Sequence, residues 1–483
     1  MDWLQAPDYW LTRLVIERAL GAIYLVAFLV AAFQFRPLLG EKGLLPVPRF
    51  LRRVRFLEAP SLFHLHYSDR LLLVIAWTGV LLAVSVVVGL PEIAPASVAI
   101  VVWFALWMLY QSIVNVGQIF YAFGWETLLL EAGFLAIFLG AGSTMPAWPL
   151  ILLFRWLVFR VEFGAGLIKL RGDRCWRELT CLYYHHETQP MPNPLSWFFH
   201  HLPRPLHRVE VLGNFFAQLV VPFFLFAPQP VASVAGAMIV LTQAWLVLSG
   251  NFSWLNLLTM ALAFSAFDDR TLSLFLSVGV PQLSPLPSWW QWLVVGVTVL
   301  VVVLSYRPVR NLISSRQLMN FSFDPFHLVN TYGAFGSVTK ERYEIVIEGT
   351  AGIEQGEEGW RAYEFKGKPG DPHAVPRQYA PYHLRLDWLM WFAAMEPPFR
   401  HQWLIAFLVK LLQGDRATSR LLRHDPFRSR APVAVRANLY HYRFSTWREL
   451  RQQRRWWVRT LVGEYLPPLV LDKSGSPARL GGE

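Results

Sequence analysis

The sequence predicts a mostly α-helical, polytopic membrane protein. A transmembrane helix bundle of about eight or nine spans occupies residues 1–310. A C-terminal soluble α+β domain with a small β-sheet occupies 311–483. Three observations carry this reading. Hydrophobic residues make up 54% of the chain and charged residues only 16%, where a soluble domain carries about 25% charge. Uncharged runs cover 71–90, 93–125, 211–267 and 271–306, and roughly 20 apolar residues cross a bilayer. After "YRPVRN" (306–311) the character changes, and 320–483 is rich in charge, proline and glycine.

The predicted spans, in order, are 14–35, 71–90, 96–113, 126–141, 149–170, 209–227, 231–249, 252–267 and 290–306. Pro228 and Pro230 divide the longest apolar run after Phe226, and "SGN" (249–251) divides it again. "MDWLQAPDYW" lacks the basic n-region of a cleavable leader, so the first span is expected to act as its own insertion signal. Beyond 311, "RYEIVIEGT" (342–350) and "GWRAYEFKG" (359–367) alternate apolar and polar residues and predict paired strands. "LDWLMWFAAM" (386–395) and "QWLIAFLVKLLQG" (402–414) predict amphipathic helices, the second closed by Gly414. "RANLYHYRFS" (436–445) predicts a further strand.

The net charge of +11 fits Lys and Arg at headgroup level and in cytoplasmic loops. No nucleic-acid recognition module is present, so membrane lipids rather than nucleic acids are the expected contact. The loop 36–70 holds Arg36, Lys42, Arg49, Arg52, Arg53, Arg55 and Arg70 against Glu41, Glu58 and Asp69. The positive-inside bias therefore predicts a cytoplasmic loop, an external N-terminus and, after nine spans, a cytosolic C-terminal domain. Cys175 and Cys181 are the two cysteines and are able to pair, but one candidate disulfide fixes no compartment.

One predicted span carries charges. In "FRWLVFRVEFGAGLIKLRGDRCWRELT" (154–180), Arg155, Glu162 and Lys169 recur every seven residues. Seven residues return to nearly one azimuth, so they form a plus–minus–plus stripe. Gly166 on that stripe leaves room for another helix, and Arg160 points elsewhere. Charge at membrane depth costs ~2.5–3.5 kcal/mol per residue and faces protein or water. Glu131, inside an earlier span, is a candidate partner for Lys169 or an arginine. Two readings compete. In one, Arg155, Arg160, Glu162 and Lys169 are a structural ion network, with the end residues snorkelling to headgroups. In the other, Glu131, Glu162 and Lys169 are a buried catalytic site.

The following segment contains His185, His186, Glu187, His200, His201 and His207. His and Glu bind zinc, but the spacing matches no signature such as H-E-x-x-H. No metal and no cofactor are expected. Prolines recur through 190–205 and stiffen the loop, which suits a docking surface. His185, His186, Glu187 and Trp197, with Trp388 and Trp391 of the C-terminal domain, are the expected client-binding residues. No G-x-S-x-G elbow, P-loop or G-x-G-x-x-G is present, so an enzyme is the less expected class.

The blocks "FRPLLGEKGLLPVPRFL", "FGAGLIKLRGDRCWRELTCLYYHHETQPMPNPLSWFFHHLP", "NTYGAFGSVTKERYEIVIEGT", "YEFKGKPGDP", "HLRLDWLMWFAAM" and "WWVRTLVGEYLPPLVL" resemble the lipase maturation factor family, in order and over nearly the whole chain. The resemblance implies a membrane-resident folding and maturation factor whose client is a secreted lipase or similar exported hydrolase. It implies an endoplasmic reticulum membrane in eukaryotes, with the C-terminal domain on the exoplasmic side. The composition suggests a member from a bacterial inner membrane. "FGAGLIKL" followed by Trp is also distantly similar to vitamin K-dependent carboxylase-like membrane enzymes. An essential lysine there would fall on Lys169, while their histidine-bearing helix would fall where this chain has Glu131.

Overall fold

The computed structural model describes residues 2–480. Each predicted span contains a helix, though those at 126–141 and 252–267 are shorter than expected. The helices are α1 (Trp10–Leu39), α2 (Asp69–Val88), α3 (Ala96–Val116), α4 (Gly124–Ala136) and α5 (Trp148–Arg171). A short helix α6 (Leu182–Thr188) precedes α7 (Arg204–Leu219), α8 (Val231–Ser249), α9 (Leu255–Ala263) and α10 (Ser288–Leu304). Among the described residues, six helices are long and apolar enough to cross a membrane by themselves. The charged helix α5 has 24 residues, about 36 Å at 1.5 Å per residue. Helices α4 and α9, with 13 and 9 residues, are packed inside the bundle, where neighbours rather than lipid surround their ends.

The bundle has two distinct ends. At one, Gln5 bridges Ala147, the Trp10 indole donates to the Gly142 carbonyl, and Arg13 donates to Thr144. At the other, Gln34 of α1 donates to the His383 carbonyl, and Asn115 of α3 donates to Pro60 and Pro325. The loop 40–68 and the C-terminal residues therefore share one end, opposite the N-terminus.

Beyond the bundle, β1 (Arg342–Thr350), β2 (Trp360–Ala362), β3 (Ala434–Phe444), β4 (Trp457–Leu471) and β5 (Pro477–Arg479) form one antiparallel sheet, order β2-β1-β3-β4-β5. Ile345 pairs with Leu439, and β2 returns on β1 through Gly349 and Arg361. Helices α11 (Arg385–Ala393) and α12 (Gln402–Leu412) pack on the sheet. Gly414, with φ of 63°, closes α12 in the left-handed region that glycine adopts without strain. The core is continuous from Tyr24 and Phe28 in the bundle to Ile345, Phe407 and Leu411 beyond it.

Candidate functional site in the helix bundle

Two glutamates of α4 receive the arginines that fasten the structure. Glu131 is 1% exposed. It pairs with Arg160 of α5 and accepts from the Asn330 backbone (3.0 Å), the Asn330 amide (3.0 Å) and the Tyr332 hydroxyl (2.7 Å). Arg160 also donates to the Asn330 carbonyl at 2.7 Å. Glu126, five residues earlier, meets Arg385 of α11 at 2.8 Å and accepts from the Tyr110 hydroxyl. Each buried carboxylate faces an arginine, the condition under which buried charge is tolerated.

The stripe on α5 is not one ion network. Arg155 donates to the carbonyls of Ser265 and Leu225 (both 2.9 Å) and to the Tyr9 hydroxyl (3.0 Å). Glu162 accepts from Gln243 at 2.6 Å, and Gln243 in turn accepts from Asn256 at 2.7 Å. Lys169 donates to Asn214 (2.8 Å) and Gln218 (2.9 Å) and lies 5.2 Å from the Trp176 ring. Two helical turns, about 10 Å, separate Glu162 from Lys169, too far for a direct pair. Neutral amides, carbonyls and the Tyr9 hydroxyl hold these three charges, and among the described residues Arg160 alone of the four has a carboxylate partner. Gly166 sits where α5 meets α7: a Cβ there would come within 2.7 Å of Leu219.

Glu162 and Lys169 line a cavity of about 890 Å³ between α5, α7, α8, α9 and the 319–337 segment. Its polar lining includes Asn214, Gln218, Gln243, Asn256 and Thr259, and its apolar walls include Phe123, Trp176, Phe252 and Trp388. That volume and mixture match a small-molecule or acyl-chain site with a few fixed polar anchors. Glu131, behind Tyr332, belongs to the fastening rather than to this lining.

Of the expected client-binding residues, His185, His186, Trp197 and Trp388 are buried and Glu187 and Trp391 half-buried, which corrects their reading as an open surface. His185 and His186 of α6 are buried and line the cavity. Desolvation pushes both imidazoles down to about 3, so they are neutral. Glu187 accepts from the Phe444 backbone at 2.6 Å, and burial raises its pKa. The Trp197 indole donates to the Ser445 carbonyl at 2.9 Å. Trp388 stands 4.9 Å from Trp125, edge on, and the Trp391 indole donates to Thr188 at 3.0 Å. The proline-rich loop lies between bundle and sheet: Arg342 of β1 donates to the carbonyls of Glu187 and Pro190, and Asn193 donates to Leu248. A stiff loop that breaks helices offers free carbonyls, and the protein's own arginine takes them.

Sequence reasoning missed Glu126 and the amide ring around the cavity. Asn214 and Gln218 are four apart on α7, one face of a helix, and that spacing was the available signal. Cys175 and Cys181 form a disulfide, packed with Trp176, Val211 and Val338.

Comparison with known proteins agrees with this architecture. The model of the lipase maturation factor transmembrane domain matches residues 11–274, and that of the lipase maturation factor C-terminal domain matches residues 328–467. The chain is 42% identical to lipase maturation factor 1 of Homo sapiens, over 97% of this chain and 90% of that protein. It is 41% identical to the Mus musculus protein of that name, over 97% and 89%. It is 28% identical to lipase maturation factor 2 of Homo sapiens, over 95% and 83%. No solved structure matches. With both domain models matched in order and a relative aligned nearly end to end, the chain belongs to the lipase maturation factor family.

Proposed function

We propose that this chain is a membrane-resident maturation factor for a secreted lipase or similar exported hydrolase. The observation that carries the reading is the 42% identity over 96–97% of the chain to proteins named for lipase maturation. The fastened assembly supports it, because a folding factor needs a rigid platform beside the membrane. Residues 311–483 act as the client-facing domain, and the bundle holds them in place. His185, His186, Glu187, Trp197, Trp388 and Trp391 position that platform rather than touch the client. In a bacterial inner membrane the platform faces the periplasm. Its disulfide supports that side, since such bonds persist in oxidising compartments. Deleting residues 320–483 is expected to abolish secreted lipase activity while the lipase is still synthesised. Undiminished secreted activity in that strain defeats the proposal.

A second reading rests on the cavity. Its size, with a carboxylate and an ammonium two turns apart, favours a bound amphiphile or a chemical step at Glu162 and Lys169. Lys169→Met is expected to remove co-purifying lipid detected by native mass spectrometry. An identical lipid complement and unchanged client maturation would leave the cavity as scaffold.

A further inference from the structure

We infer that His186, His207 and Glu210 form a binding site for one divalent transition-metal ion of the zinc class at the rim of the cavity. The three side chains offer ligand atoms that all lie within 4.8 Å of one another. His207 and Glu210 are three residues apart on α7 and share one face, and His186 reaches them from α6. Glu210 Oε2 is 3.8 Å from His207 Nδ1 and 4.0 Å from His186 Nε2. Tetrahedral zinc, bound at about 2.0–2.1 Å, sets ligand atoms about 3.3 Å apart. Small torsions of three side chains close that difference.

The hydrogen bonding at this point is what singles the cluster out. His186 and His207 are 1% and 2% exposed. Both ring nitrogens of His186, Nδ1 of His207 and Oε2 of Glu210 nevertheless lack hydrogen-bond partners. Buried polar atoms are almost always partnered. Here His186 Nε2, His207 Nδ1 and Glu210 Oε2 converge, and all three are good ligands. His207 Nε2 lies 3.4 Å from the His200 carbonyl. A proton on Nε2 serves that carbonyl and leaves the Nδ1 lone pair facing Glu210. A lone pair against a carboxylate repels, and a cation between them turns the contact attractive. The other oxygen of Glu210 accepts from the Trp245 indole at 2.7 Å, the kind of outer contact that orients a metal ligand.

Two imidazoles and a carboxylate suit zinc better than the all-oxygen sets of magnesium or calcium. Three protein ligands leave a fourth position, and His186 and Glu210 both line the cavity. Sites of that form exchange a water or ligand at the open position, whereas closed structural sites have four protein ligands. The ion would therefore present its open position to whatever occupies the cavity. This inference does not depend on the identity of the client.

The test is cobalt binding by the full chain in detergent, after chelator treatment. Wild type is expected to bind one Co²⁺ per chain, with the visible bands of tetrahedral coordination, and to release it to Zn²⁺. His207→Ala and Glu210→Gln are each expected to weaken binding more than about 100-fold, and Trp245→Phe about 10–100-fold, as for a supporting residue. His201→Ala, in the same histidine-rich segment but bonded to the Trp197 carbonyl, is expected to change nothing. Should His207→Ala aggregate, the near-isosteric Glu210→Gln decides. Folded wild-type chain without stoichiometric Co²⁺, or equal affinity in all variants, overturns the site.

Discussion

Glu126 and Arg385 lie 2.8 Å apart with both side chains fully buried, one on the short bundle helix α4 and the other at the start of α11. The Arg385 guanidinium also stands 3.3 Å over the Tyr121 ring and donates to the Phe120 carbonyl at 2.6 Å. This one arginine therefore binds the C-terminal region to the bundle. Arg385→Met leaves Glu126 charged and unpaired, which costs about 3–5 kcal/mol. The expected readout is release of a 320–483 fragment by limited proteolysis under conditions where wild type resists. Glu126→Gln combined with Arg385→Met is expected to recover part of the loss, because no buried charge then remains.

His383 sits beside that pair, 3.6 Å from Glu126 and enclosed by Phe123, Trp125, Trp254 and Trp388. Desolvation, reinforced by the Arg385 charge, pushes its imidazole down to about 4. The unfolded chain takes up this proton near pH 6.5, so it binds more protons than the folded chain between those values. Stability from His383 is thus present above pH 6.5 and is lost as pH falls towards 4. Thermal unfolding in detergent is expected to steepen in that window. His383→Gln is expected to flatten the slope, and an unchanged slope counts against the assignment.

Tyr332 gives Glu131 one of its four partners. Tyr332→Phe removes a hydrogen bond to a buried charge and is expected to cost about 1.5–3 kcal/mol. Lowered thermal stability without proteolytic release of the C-terminal region would separate this knot from the one at Glu126.

The sequence shows the bundle because uncharged runs leave no other solution, and it shows β1, β2 and β3 because alternation and glycine breaks are local signals. It hides β4: "WVRTLVGEYLPPLVL" has paired prolines and an exposed middle, and its register against β3 is irregular. Prolines in a strand argue against it unless the partner pattern is known. The α5 charges are legible as a stripe, but their partners are not. Arg160 finds Glu131 across 29 residues, and Lys169 finds Asn214 and Gln218 across 45 and 49. His207 and Glu210 illustrate the same limit. Their i, i+3 spacing is local, whereas His186 joins them only through the packing of α6 on α7.

The disulfide supplies the test of orientation. Cys175 and Cys181 lie just beyond α5, packed against Val338 of the C-terminal region. The arginine-rich loop 40–68 shares that end of the bundle, so charge and disulfide make opposite assignments for one compartment. Arg36 pairs with Asp69 and Arg55 with Glu58, but the bias counts Lys and Arg rather than net charge, so the conflict stands. The disulfide in turn favours an oxidising side. A tag placed after residue 480 is therefore expected to be reached by protease from the exoplasmic side of intact cells. Both cysteines are expected to resist maleimide labelling until reduction. Cys175→Ser, which opens a short loop, is expected to cost about 2 kcal/mol. A protected tag with freely labelled thiols would reverse the orientation and return the C-terminal region to the cytosol.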